Sequence, residues 1–205
     1  MSRGGMAMAT AKELYYEKRA AILVKNLQSR HFGACYCATK EDALKKALAL
    51  IPESSKVGWG GAVSAREIGL LDALENGNYS VIGRDGVGVD AFITGANALS
   101  IDGQMVNIDG FGNRVSAIIY GPKTVLVIAG MNKVMDTLEQ AVQRARTVAA
   151  PMNEQRFLKN TPCATTGVCS DCKSEDCICN HIVITRHSRP TGRIQFILVG
   201  EDLGF

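Results

Sequence analysis

The chain has 205 residues, 46% of them apolar and 21% charged, with a formal net charge of +3. That length suits one domain with a sizeable core, and so small a charge, with no run of Lys or Arg, argues against nucleic acid as a partner. The start "MSRGGMAMATAKELYYEKR" lacks the apolar stretch of a secretory leader and no apolar run approaches the roughly 18 residues of a membrane span, so the expected location is cytoplasmic, where thiols stay reduced.

Residues 1–10 are small and polar and read as a frayed start. From Ala11 to about His31 the pattern is helical, with Leu14, Ala21, Ile22 and Leu27 toward one face and Glu13, Glu17 and Lys18 on another. "ACYCA" (Ala34–Ala38) reads as a short strand. Thr39 then caps the helix "KEDALKKALALI", whose first turn carries Glu41 and Asp42, and Pro52 lies just past its end. Lys56–Trp59 is the next strand, followed by glycines and a helix for which Ser64 and Glu67 have capping-box spacing. Asn76-Gly77 stops that helix and "YSVIG" is a third strand.

The second half repeats the alternation. "DAFITGANALS" is a strand entering a Gly/Asn-rich turn, and Asp102-Gly103 fits a hairpin between short strands. "RVSAIIYG" leans to helix. "KTVLVIAG" is a continuous apolar run, as in a strand buried on both faces of a parallel sheet. Asn132 is a candidate cap for "KVMDTLEQAVQRARTVAA", a helix that Pro151 is expected to end. After a cysteine-rich loop, "HIVITRHS", "RPTGR" and "IQFILVG" read as strand, turn and strand, a terminal β-hairpin. The expected fold is α/β, a mostly parallel Rossmann-like sheet with helices on both faces. Residues 10–155 form the body, and 156–205 add the cysteine loop and hairpin to the same domain.

Three stretches carry candidate chemistry. "GWGGAVS" joins a buried strand to a helix, where open α/β sheets bind ligands. Gly58, Gly60, Gly61 and Ser64 there let backbone approach an anion, although the spacing is neither GxGxxG nor a Walker loop and a tight turn explains it equally. The block "TGANALSIDGQMVNIDGFGNR" holds Asn97, Ser100, Asp102, Asn107, Asp109, Asn113 and Arg114. Turn formation covers much of it. Asn107, between apolar residues in a strand, fits a cleft better, and Arg114 can clamp a carboxylate or phosphate. Gly58, Gly60, Gly61, Ser64, Asn107, Asp109, Asn113, Arg114 and Asn132 are the candidate ligand-binding residues.

The strongest signal is "CATTGVCSDCKSEDCIC". Five of the seven cysteines fall between Cys163 and Cys179. An odd total in a reducing compartment argues against disulfides. The Cys169-x2-Cys172 pair lets two sulfurs reach one metal, and two more cysteines complete a four-sulfur site for zinc or an iron–sulfur cluster. Cys177 and Cys179, two apart, point to opposite faces of an extended segment, so one of the five is spare. Redox thiols and simple packing are the rival readings. Packing suffices for Cys35 and Cys37. His181 reads as the first residue of a strand rather than a ligand, and no nucleophilic triad is evident.

The central block with "VSAIIYGPKTVLVIAGMNKV", then "AAPMN", the cysteine loop and the terminal "VGEDLGF" resemble the lactate-utilisation (LUD) domain family, formerly a domain of unknown function, over nearly the whole chain. The resemblance implies a fold like that of the sugar isomerases and CoA transferases. It also implies a link to oxidation of L-lactate to pyruvate beside iron–sulfur partner subunits, with a small anionic metabolite as ligand and a possible homo-oligomer. It assigns Cys163, Cys169, Cys172 and Cys179 as the metal ligands and leaves Cys177 spare. The family's redox setting favours an iron–sulfur cluster, of the 4Fe-4S type, over zinc. One departure from the wider fold group stands out: "GFGNRVSA" has Arg114 and no acid where the isomerases place a catalytic glutamate after a glycine-rich turn, and "ENG" (Glu75–Gly77) is helix-stop chemistry rather than a transferase nucleophile. An autonomous isomerase or CoA transferase, and a ligand-binding module with a purely structural zinc, are the competing readings.

Overall fold

The computed structural model describes residues 9–83, 86–157 and 159–205. Most of the frayed start expected at residues 1–10 lies outside them. The elements run α1 (Ala11–Ser29), β1 (Gly33–Cys37), α2 (Lys40–Leu50), β2 (Lys56–Gly60), α3 (Val63–Glu67), α4 (Leu70–Glu75), β3 (Ser80–Gly83), β4 (Ala91–Gly95), β5 (Ala98–Ser100), β6 (Met105–Asp109), α5 (Asn113–Ile119) and β7 (Thr124–Gly130). A 3-10 turn (Met131–Lys133) and β8 (Val134–Met135) follow. Then come α6 (Leu138–Arg144), a π-helical turn (Ala145–Ala149), α7 (Ala150–Glu154), α8 (Pro162–Thr166), β9 (His181–Thr185) and β10 (Ile194–Val199).

Six strands form one sheet in the order β1-β10-β7-β4-β2-β3, and every neighbouring pair in it is parallel. Helices cover both faces. Successive residues of β7 point to opposite sides: Leu126 and Ile128 meet Ala43, Ala47, Ala65 and Leu70 from α2–α4. Val125, Val127 and Ala129 meet Ala20, Leu23 and Leu27 of α1. Such a strand needs apolar residues at every position, which is why "KTVLVIAG" has no alternation.

The C-terminal strands differ from expectation in their pairing. Both exist, and both flank the expected turn. β9 joins a second sheet, β8-β5-β6-β9, pairing antiparallel with β6. β10 inserts between β1 and β7 in the interior of the main sheet. The residues explain the split. β10 is apolar on both faces, with Ile197 and Val199 to one core and Ile194, Phe196 and Leu198 to the other. β9 is an edge strand that leaves Ile182 and Ile184 exposed. The hairpin that does form is β5–β6, turned by Asp102-Gly103. Gly103 has φ +91°, and a Cβ there would lie 2.8 Å from the Asn26 backbone.

Two helix expectations also change. The pattern after Lys133 opens with β8, and the helix begins only at Thr137, whose side chain forms a capping box with Gln140. Pro151 does not end it. The chain relaxes into the π-helical turn just before Pro151, which has no N–H to donate, and continues to Glu154. At α3 the N-cap is Ala62 with no side-chain cap bond. Glu67 instead accepts from the Gly204 amide at 2.7 Å.

Candidate functional site: a cationic cleft beside a cysteine cavity

Parallel strands place their carboxyl ends along one edge, and a cleft of about 400 Å³ opens there. Gly60 and Gly61 follow from β2, Ala96 and Asn97 from β4, Asp109 to Phe111 from β6, and Lys133 from β7. Asp109 shapes the β6–α5 corner. Its Oδ1 accepts from the Gly112 amide at 2.9 Å and its Oδ2 from the Val115 amide at 3.2 Å, which starts the helix carrying Asn113 and Arg114. Gly112 has φ +83°, which suits glycine at that corner.

Arg114 lies under the cleft floor. Its Nη2 donates to Asn97 Oδ1 at 2.9 Å and to the Ile108 carbonyl, and its Nε stands 3.7 Å from Asp109. Burial pulls its guanidinium below the usual range, and the Asp109 carboxylate opposes that shift. Asn97 also accepts from the Ile108 amide at 2.8 Å. Arg114 thus locks β4 to β6 as well as lining the cleft. Gly61 makes room for it: with φ +57°, a Cβ there would lie 2.4 Å from Arg114 Nη1.

Five cationic side chains, Arg66, Arg114, Lys133, Arg156 and Lys159, line the cleft against two carboxylates, Asp109 and Glu175. Among the described residues Arg114 is the only one of the five with a salt-bridge partner. Lys133 is 4% exposed, and its Nζ bonds Ser64 Oγ at 3.1 Å. Burial, aided by the charges of Arg144 and Arg114 and opposed by Glu67, lowers its amine to about 7.

Of the residues singled out from sequence, Gly60, Gly61, Asp109, Asn113 and Arg114 line this cleft. The others stand behind it. Gly58 is buried within β2. Ser64 backs Lys133. Asn107, 1% exposed, donates to the Gly95 carbonyl at 3.0 Å and leaves Oδ1 unpartnered. Asn132 accepts from the Leu203 amide at 3.1 Å, which ties down the C-terminal segment. Sequence reasoning missed Lys133, Arg66, Arg156 and Lys159. A lysine one residue past a buried strand end was the available signal for Lys133.

The cysteine segment folds over the neighbouring surface. Cys163, Cys169, Cys172, Cys177 and Cys179 all line one cavity of about 220 Å³, with Arg146, Glu154, Thr161 and Asp171. All five are free thiols. Burial, then the neighbouring Cys177, Cys169 and Cys163, push the Cys179 thiol up to about 12. Burial also raises Cys177, which lies beside Cys172 and accepts from the Cys179 amide at 3.3 Å. Glu154 is fully buried, and neither carboxylate oxygen has a hydrogen-bond partner. A buried carboxylate without a partner is costly. A cationic group among these thiols would relieve that cost, and thiols are the donor type that a zinc or iron–sulfur centre takes. Among the described residues no three His, Cys, Asp or Glu side chains form a group that could hold a metal ion.

Cavity and cleft adjoin. Ala150, Cys177 and Ile178 line both. Ile178 Cα lies 3.4 Å from where a Cβ on Gly110 would be, and Asn180 donates to the Gly110 carbonyl at 3.1 Å. The segment bearing the cysteines is therefore pinned to the corner that Asp109 builds. No helix among the described residues is long and apolar enough to cross a membrane.

Comparison with known proteins agrees with the parallel fold. A DUF162 family protein from Deinococcus radiodurans, known from its crystal structure, superposes with a TM-score of 0.50 at 11% identity, covering 94% of this chain and 99% of that one. A D-ribose-5-phosphate isomerase in complex with phospho-erythronic acid gives a TM-score of 0.37 at 19% identity over 58% of this chain and 62% of that one. No curated protein matches the sequence. The family model for the LUD domain matches residues 20–199, nearly the whole α/β body and the cysteine segment with it, and the chain belongs to that family.

Proposed function

We propose that the protein is a redox-linked subunit of 2-hydroxy-acid oxidation, of the lactate-to-pyruvate type, that binds a small carboxylate in the cleft and an iron–sulfur cluster in the cysteine cavity. The observation that carries this reading is the shared wall: Cys177 and Ile178 separate a cavity lined by five thiols from a cleft lined by five cations. Cys163, Cys169, Cys172 and Cys179 would hold the cluster, with Cys177 as the wall thiol and Glu154 facing it. When bound, such a cluster accepts and passes on single electrons.

The cleft residues bind and orient. Arg66, Arg156 and Lys159 attract the carboxylate, and their charge raises its local concentration. Arg114, already committed to Asn97 and Asp109, fixes the floor on which the ligand rests. The stretch "GFGNRVSA" has no acidic residue where the isomerases place a glutamate after a glycine-rich turn, so autonomous isomerase chemistry finds no base there.

The test is anaerobic isolation with visible absorption and with iron, sulfide and zinc analysis, followed by calorimetric titration with lactate and pyruvate. Brown protein carrying iron and sulfide, with carboxylate binding lost in Arg66→Gln/Arg156→Gln, is the expected result. Colourless protein with stoichiometric zinc would overturn the cluster. Binding of a CoA ester with turnover, and none of lactate or pyruvate, would favour the autonomous enzyme.

A further inference from the structure

We infer that Lys133 is a nucleophilic amine that captures the carbonyl of a 2-oxo acid in the cleft as an imine. The inference rests on the cleft being a carboxylate site, and it names the class of carboxylate and what the protein does to it.

The position comes first. Lys133 leaves the end of β7, the strand beside β4 in the main sheet, within the 3-10 turn that also carries Asn132. Asn132 fixes that turn to the Leu203 backbone. The side chain is almost fully enclosed yet lines the cleft. Among the described residues its hydrogen bond is to Ser64 Oγ. Ser64 does not itself line the cleft, and Gly204 packs against both partners, a Cβ there lying 2.9 Å from Ser64 Oγ and 3.0 Å from Lys133 Nζ. Between the two partners, the amine rather than the hydroxyl has access to a bound molecule. Ser64 is a positioning residue that holds Nζ in one place.

The surroundings come second. Three charged groups from the packed elements act on the amine: Arg144 of α6, Glu67 of α3 and Arg114 of α5. Two are cationic, and no carboxylate forms a salt bridge with it among the described residues. A lysine desolvated beside other cations is the arrangement that keeps an amine unprotonated and nucleophilic. At pH 7 an amine titrating near 7 is about half neutral, against fewer than about one in a thousand for an ordinary exposed lysine. The guanidinium and ammonium groups along the cleft select a carbonyl compound that also carries a carboxylate.

The step balances without any further reagent. The Nζ lone pair attacks the carbonyl carbon, and the carbonyl oxygen takes up a proton. Loss of water from the carbinolamine then forms the C=N bond, so amine and ketone become imine and water. The protonated imine is an electron sink for the adjacent carbon and carboxylate.

The experiment uses the full chain at pH 7 with pyruvate and sodium cyanoborohydride, the modified residue being located by peptide mass spectrometry, alongside calorimetric binding of pyruvate. The expected result is a saturable secondary amine at Lys133, at least about tenfold above any other lysine, with acetone labelling it at least about tenfold less. Lys133→Met abolishes that adduct. Pyruvate binding without an adduct at Lys133 overturns the imine while the carboxylate site stands. Absence of both binding and adduct removes the carboxylate site as well. Labelling spread evenly over surface lysines also overturns the inference.

Discussion

The cleft is walled by the ends of regular strands, whereas the cysteine cavity beside it is walled largely by a segment with almost no regular structure. Gly61, Asn97, Asp109 and Lys133 each extend a buried strand whose register is fixed by its neighbours. From Pro162 to Asn180, by contrast, no side chain is more than half-buried, Cys177 and Cys179 included, and the only helix is the five-residue α8. Hydrogen bonds tie that segment down: Ser174 to the Asn160 carbonyl at 2.9 Å, Gln155 to the Cys163 carbonyl at 2.9 Å, and Arg146 to Asp171. A site built on strands is preformed by the fold. A site built on a coreless segment depends on what its side chains jointly bind, as in small metal-folded units.

That contrast breaks most visibly at the cysteines. Cys169→Ser/Cys172→Ser should lose all cluster absorption and leave residues 160–180 open to protease, while the main sheet unfolds within about 1 kcal/mol of the cluster-free wild type. Hydrogen exchange read with and without chelator gives the same comparison: protection should fall in 160–180 and stay unchanged in β4 and β7. Loss of protection throughout would mean the two regions fold as one.

The second effect lies past the cysteine segment. Phe196 is 1% exposed at the centre of β10, edge-on to Phe32 at 5.2 Å between ring centroids. Phe196→Ala should cost about 3–5 kcal/mol, measured by denaturant unfolding. A cost under about 1 kcal/mol would deny β10 its place between β1 and β7.

How far the sequence discloses each region follows from the same contrast. The strand–helix alternation, the Thr39 cap and the wholly apolar β7 are local signals, and local signals are what periodicity reads. The apolar run of β10 carried the same information as that of β7. Its nearness to β9 suggested a hairpin, but burial on both faces demanded neighbours far away in the chain. In the site, Asp109, Arg114 and the Gly60-Gly61 turn were legible because their residue types are unusual where they stand. Lys133 was not, because its character comes from its burial beside Arg144 and Arg114, which only the fold assembles. That the five cysteines line one cavity was legible in part, and that it adjoins the cleft was not, since Ile178 meets Gly110 only in three dimensions.

The third test titrates the cleft. The folded amine of Lys133 releases its proton near 7, while the unfolded one does so near the ordinary value of about 10.4. Between those values the unfolded chain binds a proton that the folded chain does not, so stability rises with pH across the window. Below about pH 7 both states are protonated and the cost of burying the charge is fully present. Lys133→Met should therefore be more stable than wild type at pH 6, by on the order of a few kcal/mol, and the gap should narrow steadily toward pH 9. Parallel stability curves for the two proteins would show that the amine stays charged.

The smallest change sharpens the cleft itself. Gly61 sits at φ +57°, where an L side chain is strained, and the added methyl of Gly61→Ala would meet the Arg114 guanidinium. The strain costs about 1–3 kcal/mol if the backbone holds. Arg114 cannot yield cheaply, because moving it breaks its bonds to Asn97 and Ile108 and separates it from Asp109. The variant should thus weaken carboxylate binding in the cleft by calorimetry while leaving the cysteine cavity able to load metal to the wild-type stoichiometry. Joint loss of carboxylate binding and metal loading would show that the wall of Ala150, Cys177 and Ile178 transmits a disturbance of the cleft floor into the cavity. Unchanged binding would show that the ligand rests on Arg66 and Arg156 alone and that Arg114 serves only to join β4 to β6.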